Sequence, residues 1–246
     1  MEPKGSVKER LKDRVRSIMT RWRKRQGPFT LKDMYFRDKI LLLGLSGGIY
    51  RLGITANHIT FAGLFLIFFW YPFRMFFAGQ ILLWIDLTFI TLIELTDFFD
   101  GSVARNNDDI TILGTVIDYL RDFLFLLLTA WVALQYGAPI YIFWVSVGIK
   151  ILAILIKCAA FIWYGAGPAW RERWMDFVLD NFQSSAEHRF HFVLLCLGLP
   201  YIIWGEFRQI YLMAQLGYVL VWGSLVAGAL VLWTELNWTP PIVEEN

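Results

Sequence analysis

Long apolar stretches dominate the chain, and short polar or glycine-containing stretches separate them. Several of these stretches approach or exceed the roughly 20 residues that a helix needs to cross a bilayer. The pattern therefore predicts an all-α polytopic membrane protein. Its six transmembrane helices are predicted at residues 58–78, 81–100, 112–134, 139–163, 189–204 and 209–234.

The stretches between the predicted spans contain residues that begin, end and connect helices. Thr55 or Asn57 is expected to be the N-cap of the first span, because both side chains can accept a backbone hydrogen bond. Residues 136–139 form a predicted turn before the fourth span. A polar loop is predicted at 102–111 and a polar amphipathic segment at 165–188.

The N-terminal segment 1–52 differs from the rest of the chain. Apolar residues recur there at helical spacing between basic residues, as expected for a helix that lies on an anionic membrane surface. A second interfacial helix is expected to end at Gly47 and Gly48. The chain is thus divided into this basic amphipathic segment, a six-helix membrane domain at 53–236 and a flexible C-terminal tail at 237–246.

Composition and charge agree with this class and suggest an orientation. Hydrophobic residues make up 57% of the chain and charged residues only 18%. Of the 23 lysines and arginines, 14 fall within the first 51 residues. Because positive residues stay in the cytoplasm, both termini and the loops at 102–111 and 165–188 are predicted to be cytoplasmic. The same amphipathic pattern favours a lipid bilayer over nucleic acid as the partner of the basic segment.

Four aspartates stand out because ionised groups within membrane spans are costly, by about 2.5–3.5 kcal/mol each at a helix centre. Asp97 and Asp100 are three residues apart and share a face at the cytoplasmic end of the second predicted span. Asp118 and Asp122 are four residues apart and share a face early in the third. The intervening loop is expected to bring all four carboxylates together.

Carboxylates this close repel one another unless they are protonated or bind a cation. Hard divalent ions such as Mg²⁺, Mn²⁺ or Ca²⁺ fit best, and the cluster could hold one or two. Gly101, Ala104 and Gly114 leave the backbone open to a ligand, and Arg105 offers a forked donor for phosphate. These residues favour metal–phosphate chemistry, while ion or proton translocation and structural capping stay open as alternatives.

The stretch from Asp97 to Asp122 resembles the signature of the CDP-alcohol phosphotransferase family in every defined position. The six-span layout, the motif across the second and third spans and the amphipathic N-terminus are also similar to that family. The match reads Asp97-x2-Asp100-Gly101-x2-Ala104-Arg105-x8-Gly114-x3-Asp118-x3-Asp122.

The resemblance implies an enzyme that transfers a substituted phosphate from a CDP-linked donor to an alcohol and releases CMP. It implies that Asp97, Asp100, Asp118 and Asp122 hold Mg²⁺ or Mn²⁺, and that Asp122 is the catalytic base for the acceptor hydroxyl. It further implies a homodimer. The residues implied in CDP-donor binding are Asp97, Gly101, Ala104, Arg105 and Gly114.

The donor and the acceptor are less constrained by the motif. Six predicted spans resemble the branch that uses CDP-diacylglycerol and a polar alcohol, whereas members using CDP-choline or CDP-ethanolamine with diacylglycerol resemble longer proteins. The residues from Asp118 to Phe123 match neither the glycerol-phosphate nor the inositol-phosphate subfamily pattern. Lys157 and Arg189 are candidate acceptor-binding residues.

Glu94 and Lys150 also lie inside predicted spans and are expected to have internal partners. Glu94 is one turn before Asp97 and is a candidate for supporting the metal site. A cation transporter would instead need polar residues along the whole span. None of the residues from 123 to 135 is ionisable, so the sequence favours an enzyme over a transporter and over an inactive scaffold.

Overall fold

The computed structural model describes residues 43–107, 111–165 and 186–236, and these form seven α-helices. The helices are α1 (Leu43–Arg51), α2 (Ala56–Arg74), α3 (Gly79–Asn106), α4 (Ile112–Gln135), α5 (Ile140–Gly165), α6 (Ala186–Arg208) and α7 (Tyr211–Leu236). The predicted all-helical class is confirmed over this part of the chain. The predicted basic amphipathic helix, most of the segment 165–188 and the C-terminal tail lie outside the described residues.

Helices α2 to α7 coincide with the six predicted spans, but apolar length supports some of them more strongly. Among the residues that the structure describes, three helical stretches are long and apolar enough to cross a membrane, namely Ala56–Arg74, Phe190–Arg208 and Tyr211–Trp233. The stretch Ile140–Ile156 of α5 is also apolar but shorter than these three. These helices indicate a membrane protein, and the full count of six crossings stays a prediction.

Two predicted helix ends are wrong. Helix α3 continues to Asn106, whereas the sequence placed a polar loop from residue 102. Ser102 and Val103 are fully buried, and this packing extends the helix beyond the point at which its sequence becomes polar. Helix α1 likewise runs through Gly47 and Gly48 and ends at Arg51.

The start of α2 resolves the choice between the two predicted caps. Thr55 is the N-cap, and its backbone N–H donates to Nδ1 of His58 at 3.1 Å. Asn57 has a different role, because its side-chain oxygen accepts a hydrogen bond from the Thr111 hydroxyl at 3.0 Å. Thr111 is the N-cap of α4, so this bond ties the start of α4 to the start of α2.

The helices pack around one apolar core. Helix α2 packs against α3 and α4, α6 packs against α7, and α5 contacts α4 and α7. Buried residues of α2, α3, α4 and α6 form the centre, including Ile67, Leu83, Ile93, Leu126 and Leu199. Large apolar side chains are exposed on the outer faces, as expected of a surface that meets lipid. Examples are Phe65, Phe68, Trp144, Leu155, Val219 and Val226.

A buried ion pair joins α2 to α3 at the opposite end of α2 from Thr55. The Arg74 guanidinium donates to both oxygens of Asp86, at 2.9 Å each. The same carboxylate accepts from the Trp70 indole and the Tyr136 hydroxyl at 2.8 Å, and Arg74 also donates to Gln135. Asp86 is 0% exposed, and both of its carboxylate oxygens accept hydrogen bonds from within the protein. The ion pair therefore fixes how α2 packs against α3.

Replacing Arg74 with methionine should leave Asp86 buried without its charged partner. We expect a loss of about 3–5 kcal/mol of stability, the usual cost of removing one member of a buried pair. The measurement is the thermal unfolding midpoint of the detergent-solubilised protein. Arg208→Met, at the exposed end of α6, is the matched control; equal midpoints for the two variants would contradict a stabilising role for the Arg74–Asp86 pair.

Candidate metal centre

The predicted aspartates converge where the C-terminal part of α3 faces the first half of α4. One carboxylate oxygen from each of Asp97, Asp100 and Asp118 lies within 4.8 Å of the others. Asp100 is buried, whereas the side chains of Asp97 and Asp118 are 38% and 43% exposed. The predicted convergence is therefore confirmed for three of the four aspartates, and two of the three are accessible from outside the bundle.

Arg121 connects the fourth aspartate to this group. Its guanidinium contacts all four carboxylates: it lies 2.6 Å from Asp118 and 2.9 Å from Asp122, and it also pairs with Asp97 and Asp100. The Arg121 side chain is 1% exposed. A buried positive charge thus offsets part of the repulsion among the carboxylates.

Helix α2 supports the cluster from the side. The Thr60 hydroxyl donates to Asp100 at 2.8 Å. A Cβ at Gly63 would lie 2.9 Å from Cδ of Arg121 and 2.4 Å from the Thr96 hydroxyl. A side chain at this position would clash with Thr96 and crowd the Arg121 side chain, so glycine leaves room for both.

A cleft of about 90 Å³ opens beside Asp100 and Asp118, between the starts of α2 and α4 and the end of α3. Its lining includes five of the predicted site residues, namely Asp100, Gly101, Ala104, Gly114 and Asp118. A Cβ at Gly114 would meet Asn57 at 2.3 Å and the Thr111 hydroxyl at 2.9 Å. Gly114 therefore allows α4 to approach α2 closely, in addition to lining the cleft.

Three predicted site residues have side chains outside the described part of the structure. The backbones of Arg105, Lys157 and Arg189 belong to α3, α5 and α6. Their assignment to donor binding or acceptor binding stays a prediction.

Lys150 has the internal partners that were expected of it. It is buried in α5, and its ammonium lies 4.7 Å from the Tyr119 ring centroid and 5.6 Å from that of Phe192. Cation–π contacts of this kind stabilise a lysine that has left water.

Sequence reasoning missed Arg121 as a member of the cluster. A signal was present, since Arg121 is three residues after Asp118 and therefore shares its helix face. The roles of Thr60 and Gly63 had no such signal, because they depend on how α2 packs against α3 and α4.

The residues present fit a hard divalent cation. The donor set consists of carboxylate oxygens, which Mg²⁺ and Mn²⁺ prefer. Three of these oxygens are near enough to one another to share an ion, and two of the carboxylates can be reached from outside the bundle.

Comparison with known proteins agrees with the family resemblance of the motif. A family model described as CDP-alcohol phosphatidyltransferase matches residues 53–230, which is most of the chain. The matched stretch begins just before α2, includes Asp97 to Asp122 and ends within α7. Searches of curated proteins and of solved structures found no match to the chain.

Replacing Thr60 with valine should weaken Mn²⁺ binding without breaking the fold. The change removes the hydrogen bond to Asp100 but retains a side chain of similar shape. Loss of a group that orients a metal ligand typically costs about 10–100-fold in metal affinity. The measurement is a Mn²⁺ titration followed by electron paramagnetic resonance.

Thr91→Val supplies the control for this experiment. Thr91 is exposed on α3, and its hydroxyl donates to the Leu87 carbonyl, so the same chemical change occurs away from the aspartates. An equal Mn²⁺ affinity in the Thr60 and Thr91 variants would show that Thr60 does not support the site.

Proposed function

Because the chain belongs to the CDP-alcohol phosphatidyltransferase family, we propose that it transfers a phosphatidyl group from CDP-diacylglycerol to the hydroxyl of a polar alcohol and releases CMP. The observation that carries this proposal is the convergence of Asp97, Asp100 and Asp118 beside a cleft. The family implies a CDP-linked substrate and an alcohol acceptor. The choice of CDP-diacylglycerol follows from the six-helix layout predicted from the sequence.

Asp97, Asp100 and Asp118 would hold a divalent cation, Mg²⁺ or Mn²⁺, with Asp122 beside them. When bound, the cation would supply positive charge to the pyrophosphate of the donor and so make CMP a better leaving group. The protein contributes preorganised carboxylates on two helices, fixed in place by Arg121 and Thr60.

Asp122 would act on the acceptor. Its carboxylate accepts the proton of the acceptor hydroxyl while the hydroxyl oxygen forms a bond to the phosphorus of the phosphatidyl group. The bond between that phosphorus and the CMP oxygen breaks, and CMP departs with the bonding electrons. The side chain of Asp122 is 19% exposed, which leaves it partly accessible to an acceptor.

The donor pocket would consist of Gly101, Ala104, Arg105 and Gly114 together with Asp97. Three of these residues, Gly101, Ala104 and Gly114, line the cleft, and none of them has a side chain larger than a methyl group. A small-residue wall lets a pyrophosphate approach the backbone closely. Arg105 would add a forked donor for phosphate.

The remaining parts of the proposal concern the position of the chain in the membrane, its oligomeric state and its contacts with the acceptor. Helices α2 to α7 would cross the membrane six times, the termini and the site would face the cytoplasm, and the chain would form a homodimer. Lys157 and Arg189 would contact a polar or phosphorylated acceptor. The basic N-terminal segment would lie on the membrane surface.

The purified chain should release CMP from CDP-diacylglycerol when Mg²⁺ or Mn²⁺ and a suitable alcohol are present. CMP release is measured with glycerol 3-phosphate, inositol, inositol phosphate and serine as acceptors. CDP-choline and CDP-ethanolamine with diacylglycerol form the comparison arm. Turnover only in that arm would assign the chain to the other branch of the family, and no metal-dependent CMP release in any arm would contradict the transferase proposal.

Asp122→Asn should lower kcat for CMP release by about 10²–10⁴-fold, the usual contribution of a general base. Asparagine has the same shape but cannot accept the proton. Glu206→Gln is the matched control, since Glu206 accepts a hydrogen bond from Tyr218 near the end of α6 and away from the motif. Near wild-type turnover in the Asp122 variant would show that another group takes the proton.

A further inference from the structure

Arg121 is the one residue that contacts every aspartate of the motif among the residues that the structure describes. Its side chain is 1% exposed, so the charge is removed from water and depends on the carboxylates for compensation. The family signature leaves this position undefined. Arg121 is therefore a feature of this chain that the shared motif does not explain.

The contacts use one oxygen of each carboxylate. Arg121 pairs with Oδ1 of Asp97, Asp118 and Asp122 and with Oδ2 of Asp100. A carboxylate has two oxygens, so each aspartate keeps a second oxygen for another cation. The guanidinium and a bound metal ion can thus share the same four residues.

The Arg121 side chain is also restrained along its methylene stem. Its methylene stem passes Gly63 of α2, where a Cβ would lie 2.9 Å from Cδ. At its far end the guanidinium makes four ion pairs. We expect an arginine fixed at both ends to stay in the cluster when a metal ion binds to the aspartates.

Charge then limits how many ions the cluster takes. The four carboxylates carry four negative charges, and Arg121 neutralises one of them. One divalent ion leaves the cluster with a single negative charge. A second divalent ion would make it positive and would lie beside a guanidinium that repels it.

We propose that Arg121 is a built-in cation that takes the place of one of the two divalent ions that four such aspartates can hold, so that the protein binds one ion per chain. This inference rests on the proposed metal-dependent function. Arg121 is a positioning residue in this scheme, because it acts through the carboxylates. The three aspartates whose oxygens lie within 4.8 Å of one another would be the ligands of the single ion.

The test counts Mn²⁺ ions on the full-length chain in detergent by electron paramagnetic resonance. Wild-type protein should bind one tight ion with the six-line spectrum of isolated Mn²⁺. Arg121→Met should bind two, and their separation of about 3.5–4 Å should give a spin-coupled spectrum. Arg121→Lys, which keeps the charge, should again bind one.

Arg208→Met is the matched control, because it removes an arginine by the same substitution at the exposed end of α6, away from the motif. It should leave the count at one. The wild-type count needs no variant to fold, and two coupled ions on wild-type protein would overturn the inference. A single ion on folded Arg121→Met would overturn it as well.

This experiment separates the inference from the proposed function. Wild-type protein without any tight ion would remove both the built-in cation and the metal chemistry of the proposed transferase. One ion on wild-type protein and two on Arg121→Met support the inference even when no CMP release is found. Metal-dependent CMP release together with two ions on wild-type protein would leave the transferase proposal standing and remove only the role of Arg121.

Discussion

Neutralising the carboxylates between α3 and α4 is the constraint on which the rest of the site depends. Charges that leave water must be paired, and like charges at short range repel strongly. Arg121 lies among Asp97, Asp100, Asp118 and Asp122 and pairs with each of them, which offsets part of their repulsion. The register of α3 against α4 and the small residue at Gly63 both serve this contact.

The buried arginines Arg74 and Arg121 show the difference between a structural pair and a site. Asp86 is fully buried and receives hydrogen bonds from Arg74, Trp70 and Tyr136, so its carboxylate has no capacity left for a ligand. At the other end of α2, one guanidinium is shared among four carboxylates, and negative charge remains. A fully satisfied cluster fixes helix packing, whereas an incompletely neutralised cluster that is partly exposed attracts a cation.

Much of the fold could be predicted from the sequence, because apolar length and helix-capping residues act locally. The six apolar stretches correspond to α2 to α7, and Thr55 is one of the two predicted caps. The end of α3 was missed because Ser102 is small and polar, and its burial comes from tertiary packing that local sequence does not report. The end of α1 was also missed, since the helix continues through Gly47 and Gly48 to Arg51.

For the candidate site, too, the local sequence predicts some features and tertiary packing determines the others. The spacing of the aspartates predicts which face each one shares, and three of the four converge as expected. Arg121 lies on the face of Asp118, but its side chain also packs beside α2, where the absence of a side chain at Gly63 leaves it room. Contacts between elements distant in sequence cannot be read from spacing within either element.

Helix α2 therefore has a larger part in the site than its apolar sequence suggests. Asn57 fixes the start of α4 through Thr111, Thr60 donates to Asp100, and Gly63 admits Arg121. These residues follow one another at intervals of three along one helix face, so one face of α2 contacts the cleft, the buried carboxylate and the internal cation in turn. A rotation of α2 would alter all three contacts together, and the Arg74–Asp86 pair at the other end of the helix opposes such a rotation. The Arg74–Asp86 pair and the aspartate site are therefore connected through α2.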